Sequence, residues 1–172
     1  LTRALARGCA EARGALIARQ DDDDVSVPGR LERLAAVLES NPDVVVASSW
    51  AESIGPKGEA LDVTRYPQGV KAATEALLQR SRNPVHAAVM YRKADYEAVG
   101  GYRPEFYFAQ DADLWLRLVD RGGFLYLPAV LYRYRVVEGS ISAGHREAQL
   151  KLHDLALACR VARSQGRTER PL

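Results

Sequence analysis

Four consecutive aspartates follow closely on an apolar segment, and their type and spacing suit the binding of a cation. The apolar segment covers residues 15–18, and the aspartates occupy positions 21–24. Adjacent carboxylates repel one another, which costs free energy unless solvent or a cation offsets their charge. Mg²⁺ and Mn²⁺ prefer carboxylate oxygens as ligands. Two interpretations remain open here: a cation site, or a solvated acidic loop that caps the next helix.

Asp21 and Asp23 are the best-placed pair within this acidic run. Residues two apart in an extended segment point to the same side, so these carboxylates could share one divalent ion. Hydrophobic residues predict a strand over residues 15–19, and in open α/β sheets ligands bind beyond the carboxyl ends of the strands. A divalent ion held there could in turn bind the phosphates of a nucleotide.

A second acidic segment contains Asp111 and Asp113 at the start of a predicted amphipathic helix, residues 111–121. Asp111 shares a helical face with Trp115, so it is either an N-cap or a group that faces a cleft. Asp113 lies four residues before Arg117, a spacing typical of a surface ion pair, and we expect it to face solvent. Asp111 is therefore the better candidate for a general base.

Basic residues and a histidine give weaker signals. Arg133 and Arg135 alternate along a predicted strand and so share one face, where they could contact phosphate or only solvent. His86 lies in the predicted strand 85–91. A single histidine in a strand is usually structural, so we assign it no function from the sequence.

Hydrophobic periodicity predicts alternating helices and strands, and hence an α/β fold with one mixed sheet flanked by helices. The predicted helices cover residues 1–13, 28–40, 72–79, 93–99, 111–121 and 144–164, and the predicted strands cover residues 15–19, 44–49, 85–91, 124–127 and 130–135. Residues 55–58 form a predicted hairpin turn.

Composition excludes several classes of protein. The 172 residues carry 24 basic and 22 acidic side chains, without the dense basic patch of a nucleic-acid-binding protein. The longest apolar run has five residues, which is too short to span a bilayer. Cys9 and Cys159 occupy apolar helical positions, which predicts two buried free thiols in a reducing compartment.

Taken in order, these segments resemble the family 2 glycosyltransferases of the GT-A fold, which transfer a sugar from a nucleotide-sugar with inversion. The matching residues are 18–24, Pro28, Arg30, Leu31, 86–90, 99–102, 110–117, Tyr134, Arg135 and 139–142. The resemblance extends from residue 1 to about residue 145.

The resemblance implies a role for each candidate residue. Asp21 and Asp23 match the family's Asp-x-Asp motif, which engages a divalent cation (Mn²⁺ or Mg²⁺) and the nucleotide-sugar. Asp111 matches the base that deprotonates the acceptor hydroxyl, so transfer is a single in-line displacement. The substrate-binding residues are then Asp21, Gln110, Trp115 and Arg135.

The resemblance also implies partners and a location. The partners are a nucleotide-sugar donor and a glycan or lipid-linked acceptor in bacterial polysaccharide assembly, with no nucleic acid and no transmembrane segment. We expect a cytoplasmic protein, and a peripheral position at the inner face of the membrane is included in that expectation.

Three departures from the family pattern support an alternative. Gln110 replaces the usual Glu, Val137 stands where many members carry His, and the family's opening nucleotide-binding segment is absent. We therefore expect an N-terminally truncated GT-A domain over residues 1–143 and a C-terminal helix and tail over residues 144–172. An open sheet edge could then support a homo-oligomer. The alternative is a truncated or degenerate, non-catalytic module that binds a partner or dimerises.

Overall fold

Helices and strands alternate along the computed structural model, which describes residues 1–79, 83–137 and 144–169. The helices are α1 (Thr2–Glu11), α2 (Arg30–Ser40), α3 (Val70–Leu78), α4 (Lys93–Ala98), α5 (Gln110–Leu118) and α6 (Arg146–Ser164). The strands are β1 (Leu16–Ala18), β2 (Val25–Ser26), β3 (Val44–Ile54), β4 (Ala60–Thr64), β5 (Met90–Arg92) and β6 (Gly123–Arg135). Short 3₁₀ helices cover His86–Ala88 and Pro104–Phe106.

The strands of the described residues form one mixed sheet in the order β1-β5-β3-β6-β2. β3 and β6 run parallel, and the other pairs are antiparallel. β3 has 11 residues, so the same edge pairs with β5 near its start and with β4 near its end. The mixed sheet expected from the sequence is confirmed.

Helices cover both faces of the sheet because each carries an apolar stripe that must be buried. On one face, α2 packs Leu34 and Leu38 against Val44 and Met90. On the other face, α1, α3, α4 and α5 contribute to a larger cluster. That cluster includes Cys9, Leu77, Tyr96, Leu114 and Trp115, together with Val46, Tyr91 and Phe124 of the sheet.

The C-terminal helix α6 forms a further layer behind α5. Leu152, Ala156 and Cys159 of α6 pack against Leu116 of α5 and against Phe106. Because α5 is covered by the sheet on one side and by α6 on the other, its residues from Ala112 to Leu118 are all buried. Both cysteines are buried and free, as predicted. The domain boundary between residues 143 and 144 stays a prediction.

The structure corrects three sequence-based elements. The strand predicted over residues 85–91 is wrong in its first half, where His86–Ala88 forms a 3₁₀ helix and only Met90–Arg92 pairs in the sheet. The strands predicted over 124–127 and 130–135 are one strand, β6. Its register against β3 shifts between Ser49 and Trp50 near Pro128. β2 was not predicted.

One edge of the sheet is open at β1, which pairs with β5 alone within the described residues. The carbonyl of Ala15 and the N–H of Arg19 bond toward β5. Backbone groups alternate in direction along a strand, so those of Leu16 and Ala18 point to the other side. Such an edge is a template for strand addition, and its use in a homo-oligomer stays a prediction.

The start of β6 requires a glycine. A Cβ at Gly122 would lie 2.5 Å from the carbonyl oxygen of Asp43. We expect Gly122→Ala to lower the free energy of unfolding by about 1–3 kcal/mol, measured by urea denaturation. Gly8→Ala in α1 is the control, because its Cβ meets no atom within 4 Å. That substitution should stabilise by about 0.5–1 kcal/mol. Equal midpoints for both variants would contradict the close approach.

Candidate active site

The acidic run forms the turn between β1 and β2. Asp22 and Asp23 are exposed, whereas Asp21 and Asp24 are half-buried. The N-cap of α2 is Gly29, and no side chain caps that helix. The interpretation that the acidic run caps the next helix is therefore wrong.

Asp24 attaches this turn to β6. Its carboxylate accepts hydrogen bonds from the Tyr132 hydroxyl at 2.8 Å and from the Arg135 backbone N–H at 2.7 Å. The same hydroxyl accepts the N–H of Asp21 at 3.1 Å. Burial raises the pKa of Asp24, and these two hydrogen bonds oppose the rise. Since both oxygens of Asp24 are engaged, it serves as a structural anchor.

The side chain of Gln20 holds the acidic turn through hydrogen bonds. Its amide nitrogen donates to the carbonyl oxygens of Asp21 and Asp24 at 2.8 and 3.2 Å. Its amide oxygen accepts bonds from Ser26 Oγ at 2.7 Å and from Arg30 Nη1 at 3.0 Å. The backbone of the acidic turn is thus hydrogen-bonded to its own flanking residues.

Arg30 is a buried arginine that the sequence analysis did not distinguish from a surface residue. Only 2% of its surface is exposed. It donates to the carbonyl oxygens of Arg19 at 2.7 Å and Ala87 at 2.8 Å, and it lies over the Tyr132 ring at 4.5 Å. Arg30 therefore connects the acidic turn to the segment that carries His86.

Arg133 and Arg135 interact with the protein itself. Arg133 pairs with Glu52 at 2.8 Å. The guanidinium of Arg135 donates to the carbonyl oxygens of Asp23, Gly55 and Pro56 at 2.9–3.0 Å. Arg135 thereby ties the acidic turn to the β3–β4 hairpin. Residues 139–142, which contribute to the family resemblance, lie outside the described residues.

Asp111 lies in the first turn of α5 and is half-buried. The helix begins at Gln110, its N-cap is Ala109, and no side chain caps it. The N-cap interpretation of Asp111 is therefore wrong, and its carboxylate has no capping role that would occupy it.

Asp113 does not face solvent, which corrects the sequence-based expectation. It is 1% exposed and forms a buried salt bridge with Arg117 at 2.6 Å. Arg103 adds a second, two-pronged contact from the preceding loop. The helical spacing of Asp113 and Arg117 was identified correctly. Their burial results from α6 and the 101–110 loop, which cover α5.

The ion pairs continue from Arg103 to the C-terminal tail. Arg103 pairs with Glu169 at 2.6 Å, and Glu169 also pairs with Arg163 at 2.5 Å. Burial opposes ionisation of Glu169, but the hydrogen bonds from both arginines outweigh it and lower its pKa. Arg163 reaches Asp120 at 2.7 Å. This network fixes the loop that leads to Asp111 against the end of α6.

His86 contacts α5, and the next residue, Ala87, is linked through Arg30 to Arg19 just before the acidic turn. The Nε2 of His86 is 2.8 Å from the Tyr102 hydroxyl, and its ring packs edge-on against Trp115 with centroids 5.9 Å apart. Burial lowers the pKa of His86 to about 4, while the charges of Asp111 and Asp21 act in the opposite direction. The sequence analysis missed this residue, because a lone histidine gives no spacing signal.

Gln110 and Trp115 are largely hidden from solvent. Gln110 is 7% exposed and Trp115 is 0% exposed. Gln110 Oε1 and Trp115 Nε1 are buried without a hydrogen-bond partner in the described residues. Trp115 belongs to the core cluster and touches the site through His86.

The acidic turn could supply only part of the coordination shell of a divalent ion, and a nucleotide and water would have to supply the rest. The described residues contain no group of three or more His, Cys, Asp or Glu side chains arranged to hold a metal. Magnesium sites that bind nucleotides commonly use one or two carboxylates and complete their shell with phosphates and water. Asp21 and Asp23 supply hard oxygen donors of that kind.

No helix among the described residues is long and apolar enough to cross a membrane.

The buried pair around Asp113 should dominate local stability. Asp113→Asn would leave the buried Arg117 without its counter-charge and would remove one of the two acidic partners of the half-buried Arg103. We expect it to lower the free energy of unfolding by about 3–5 kcal/mol. Glu11→Gln, which breaks the exposed pair with Arg7, is the matched control and should cost about 0–1 kcal/mol. Urea denaturation of both variants compares them. A similar small loss in both would contradict the burial of Asp113.

The depressed pKa of His86 predicts a pH-dependent stability. The unfolded state takes up a proton near pH 6.5 and the folded state only near pH 4, so protonation favours unfolding. Between those values the wild type should lose up to about 3 kcal/mol relative to His86→Gln as pH falls. Denaturation curves at several pH values measure the difference. A difference that does not change with pH would show that His86 titrates normally.

Two solved structures share this fold. S. aureus TarS 1-349 superposes with a TM-score of 0.62 at 13% identity, over 91% of this chain and 43% of that chain. A mannosyltransferase, PcManGT from Pyrobaculum calidifontis in complex with GDP-Man and Mn²⁺, gives 0.61 at 14% identity, over 95% and 44%. At these identities the likeness shows the fold alone.

Relatives in sequence are glycosyltransferases. The amylovoran biosynthesis glycosyltransferase AmsE of Erwinia amylovora is 27% identical over 92% of this chain and 60% of its own length. The Escherichia coli UDP-Gal:alpha-D-GlcNAc-diphosphoundecaprenol beta-1,3-galactosyltransferase is 31% identical over 62% of this chain and 38% of its own. This chain thus spans about half of the length of these relatives.

The family model for Glycosyl transferase family 2 matches residues 1–100, which is more than half of the chain. This match agrees with the mixed α/β sheet and with the named relatives. The chain belongs to glycosyl transferase family 2.

Proposed function

We propose that this chain forms part of an inverting glycosyltransferase that binds a nucleotide-sugar at the acidic turn and activates an acceptor hydroxyl with Asp111. The observation that supports the proposal is the placement of the His86–Ala88 segment: the His86 ring packs against Trp115 of α5, and Arg30 links the Ala87 carbonyl to the carbonyl of Arg19 just before the acidic turn. On this proposal, two acidic segments about 90 residues apart in sequence act at one site. The half-buried Asp111, together with Asp21 and Asp23 of the turn, would supply the groups that the reaction needs.

Each group has a defined task in this reaction. Asp111 accepts the proton of the acceptor hydroxyl, whose oxygen then attacks the anomeric carbon of the sugar. The bond between that carbon and the diphosphate oxygen breaks, and attack from the opposite face inverts the configuration. Asp21 and Asp23 would hold a divalent cation, which when bound offsets the negative charge of the departing diphosphate. His86 stays neutral at pH 7 because of its low pKa.

The remaining candidates support this arrangement. Gln110 Oε1 is an unpaired acceptor next to Asp111 and could receive a hydrogen bond from a substrate hydroxyl. Arg135 positions Asp23 by donating a hydrogen bond to the Asp23 carbonyl oxygen. Trp115 supports the ring of His86 from the core. Gln110 would thus contact substrate directly, whereas Arg135 and Trp115 would act through neighbouring residues.

The relatives suggest the classes of substrate. One acts with UDP-Gal on a diphosphoundecaprenol-linked sugar, and one fold neighbour binds GDP-Man and Mn²⁺. We therefore propose a nucleoside-diphosphate sugar as donor and a lipid-linked glycan as acceptor, in polysaccharide assembly at the cytoplasmic face of the membrane. The open edge of β1 favours a second candidate function, a non-catalytic module that dimerises through this edge.

Substitution of the base tests the proposal in the full-length protein. UDP-galactose and GDP-mannose serve as donors with Mn²⁺ and a GlcNAc-diphospholipid acceptor, and product formation gives the rate. Asp111→Asn should lower kcat by about 10²–10⁴-fold, because a general base acts in the transition state, while the donor Kd stays nearly unchanged. Asp62→Asn, the same change at an exposed position of β4, is the control. Near-normal turnover by Asp111→Asn would overturn the assignment.

A further inference from the structure

Arg19 is a buried cation at the end of β1 that the proposed reaction has not used. The residue is 8% exposed, and its guanidinium forms a salt bridge with the Asp21 carboxylate. Its Nε is fully buried without a hydrogen-bond partner among the described residues. The positive charge of Arg19 also acts on His86 and Tyr102. Arg19 therefore lies buried beside the acidic turn, with Asp21 as its partner and its own carbonyl bound by Arg30.

The direction of Arg19 follows from the strand. Ile17, two residues earlier, packs against the core cluster that contains Trp115 and Tyr91. Side chains two apart along a strand share a face, so Arg19 points to the same side of the sheet as Ile17. That side also carries α5 with Asp111.

The other arginines around the acidic turn are engaged by backbone oxygens. Arg30 donates to the carbonyls of Arg19 and Ala87, and Arg135 donates to three carbonyls. Arg19 instead has a carboxylate as its partner, and that carboxylate is the one expected to bind a cation. A buried guanidinium with an unpaired N–H costs free energy, and the oxygens of a diphosphate are acceptors that would offset that cost.

We propose that Arg19 is the counter-ion of Asp21 in the free enzyme and a ligand of the donor diphosphate in the complex. This inference rests on the proposed function. A divalent cation at Asp21 must share that carboxylate with a fixed positive charge, which repels the cation. The diphosphate brings negative charge that both the cation and Arg19 can contact. Cation and nucleotide should therefore bind synergistically, and each alone should bind weakly.

Binding measurements on the full-length protein test this change of partner at Arg19 without an activity assay. The affinity for Mn²⁺ alone is read from the electron paramagnetic resonance signal of the free ion. The affinities for UDP and GDP at saturating Mn²⁺ come from calorimetry. In Arg19→Gln, Mn²⁺ alone should bind about three- to tenfold more tightly, because Asp21 has lost its competing charge. The nucleotide should bind about tenfold more weakly, because a charged hydrogen-bond donor is lost.

Opposite changes in Mn²⁺ affinity and nucleotide affinity distinguish this role of Arg19 from a structural one. If Arg19 only holds Asp21 in place, Arg19→Gln should weaken both affinities together, and that result would overturn the proposal. Unchanged Mn²⁺ affinity would overturn it as well. Arg19→Lys keeps the charge but loses the fork of donors, so Mn²⁺ affinity should stay near wild type while nucleotide affinity falls. If Arg19→Gln does not fold, as judged by thermal unfolding, an unchanged nucleotide affinity in Arg19→Lys would still contradict the proposal.

The wild-type protein separates this inference from the function on which it rests. If wild type binds neither UDP nor GDP with Mn²⁺, the proposed function fails and this proposal fails with it. If wild type binds a nucleotide and the Arg19 variants bind Mn²⁺ and that nucleotide equally well, only the role of Arg19 is wrong.

Discussion

The attachment of Asp24 to β6 is the interaction on which the rest of the site depends. Four adjacent carboxylates repel one another, so a turn that contains them needs other interactions to hold a single conformation in water. The Tyr132 hydroxyl and the Arg135 N–H bind the last carboxylate, and Tyr132 also binds the N–H of Asp21. With Asp24 anchored and Asp21 paired to Arg19, the like charges have different partners. Under the proposed function, this fixed turn presents Asp21 and Asp23 to a cation.

The central sheet connects the acidic turn to α5, the helix that contains Asp111. β6 supplies Tyr132 and Arg135 and runs parallel to β3 in the centre of the sheet. Helix α5 packs Leu114 and Trp115 against the same sheet, and Trp115 contacts His86. Asp111 is thereby positioned by core packing and by the Asp113 network, with no direct bond to the acidic turn among the interactions described.

Local patterns predicted the parts of the fold that depend on local chemistry. The apolar strand before the acidic run, the hairpin at 55–58 and the amphipathic α5 all follow from periodicity and turn residues. Asp113 could not be placed, because an i, i+4 pair with Arg117 has the same spacing at a surface as under α6. The burial of Asp113 depends on Arg103 and on α6, residues that pack there only in the folded chain.

The candidate site shows the same limit. Sequence spacing identified Asp21, Asp23 and Asp111, whose roles stay predictions, but it gave no reason to select His86, Arg19 or Arg30. His86 and Arg30 are identified by contacts with segments far along the chain, whereas Arg19 is identified by its burial and by its pairing with Asp21. Arg30 reaches Ala87 and His86 reaches Tyr102, so only the fold identifies them.

Paramagnetic relaxation by Mn²⁺ would show whether the acidic turn and Asp111 form one site around His86. Mn²⁺ broadens nuclear resonances steeply with decreasing distance, so a titration with nucleotide present locates the ion in solution. We expect selective broadening of the His86 ring protons, which is lost in Asp21→Asn and Asp23→Asn. Broadening spread over surface carboxylates, or a His86 signal unaffected at saturating Mn²⁺ and nucleotide, would contradict a single site.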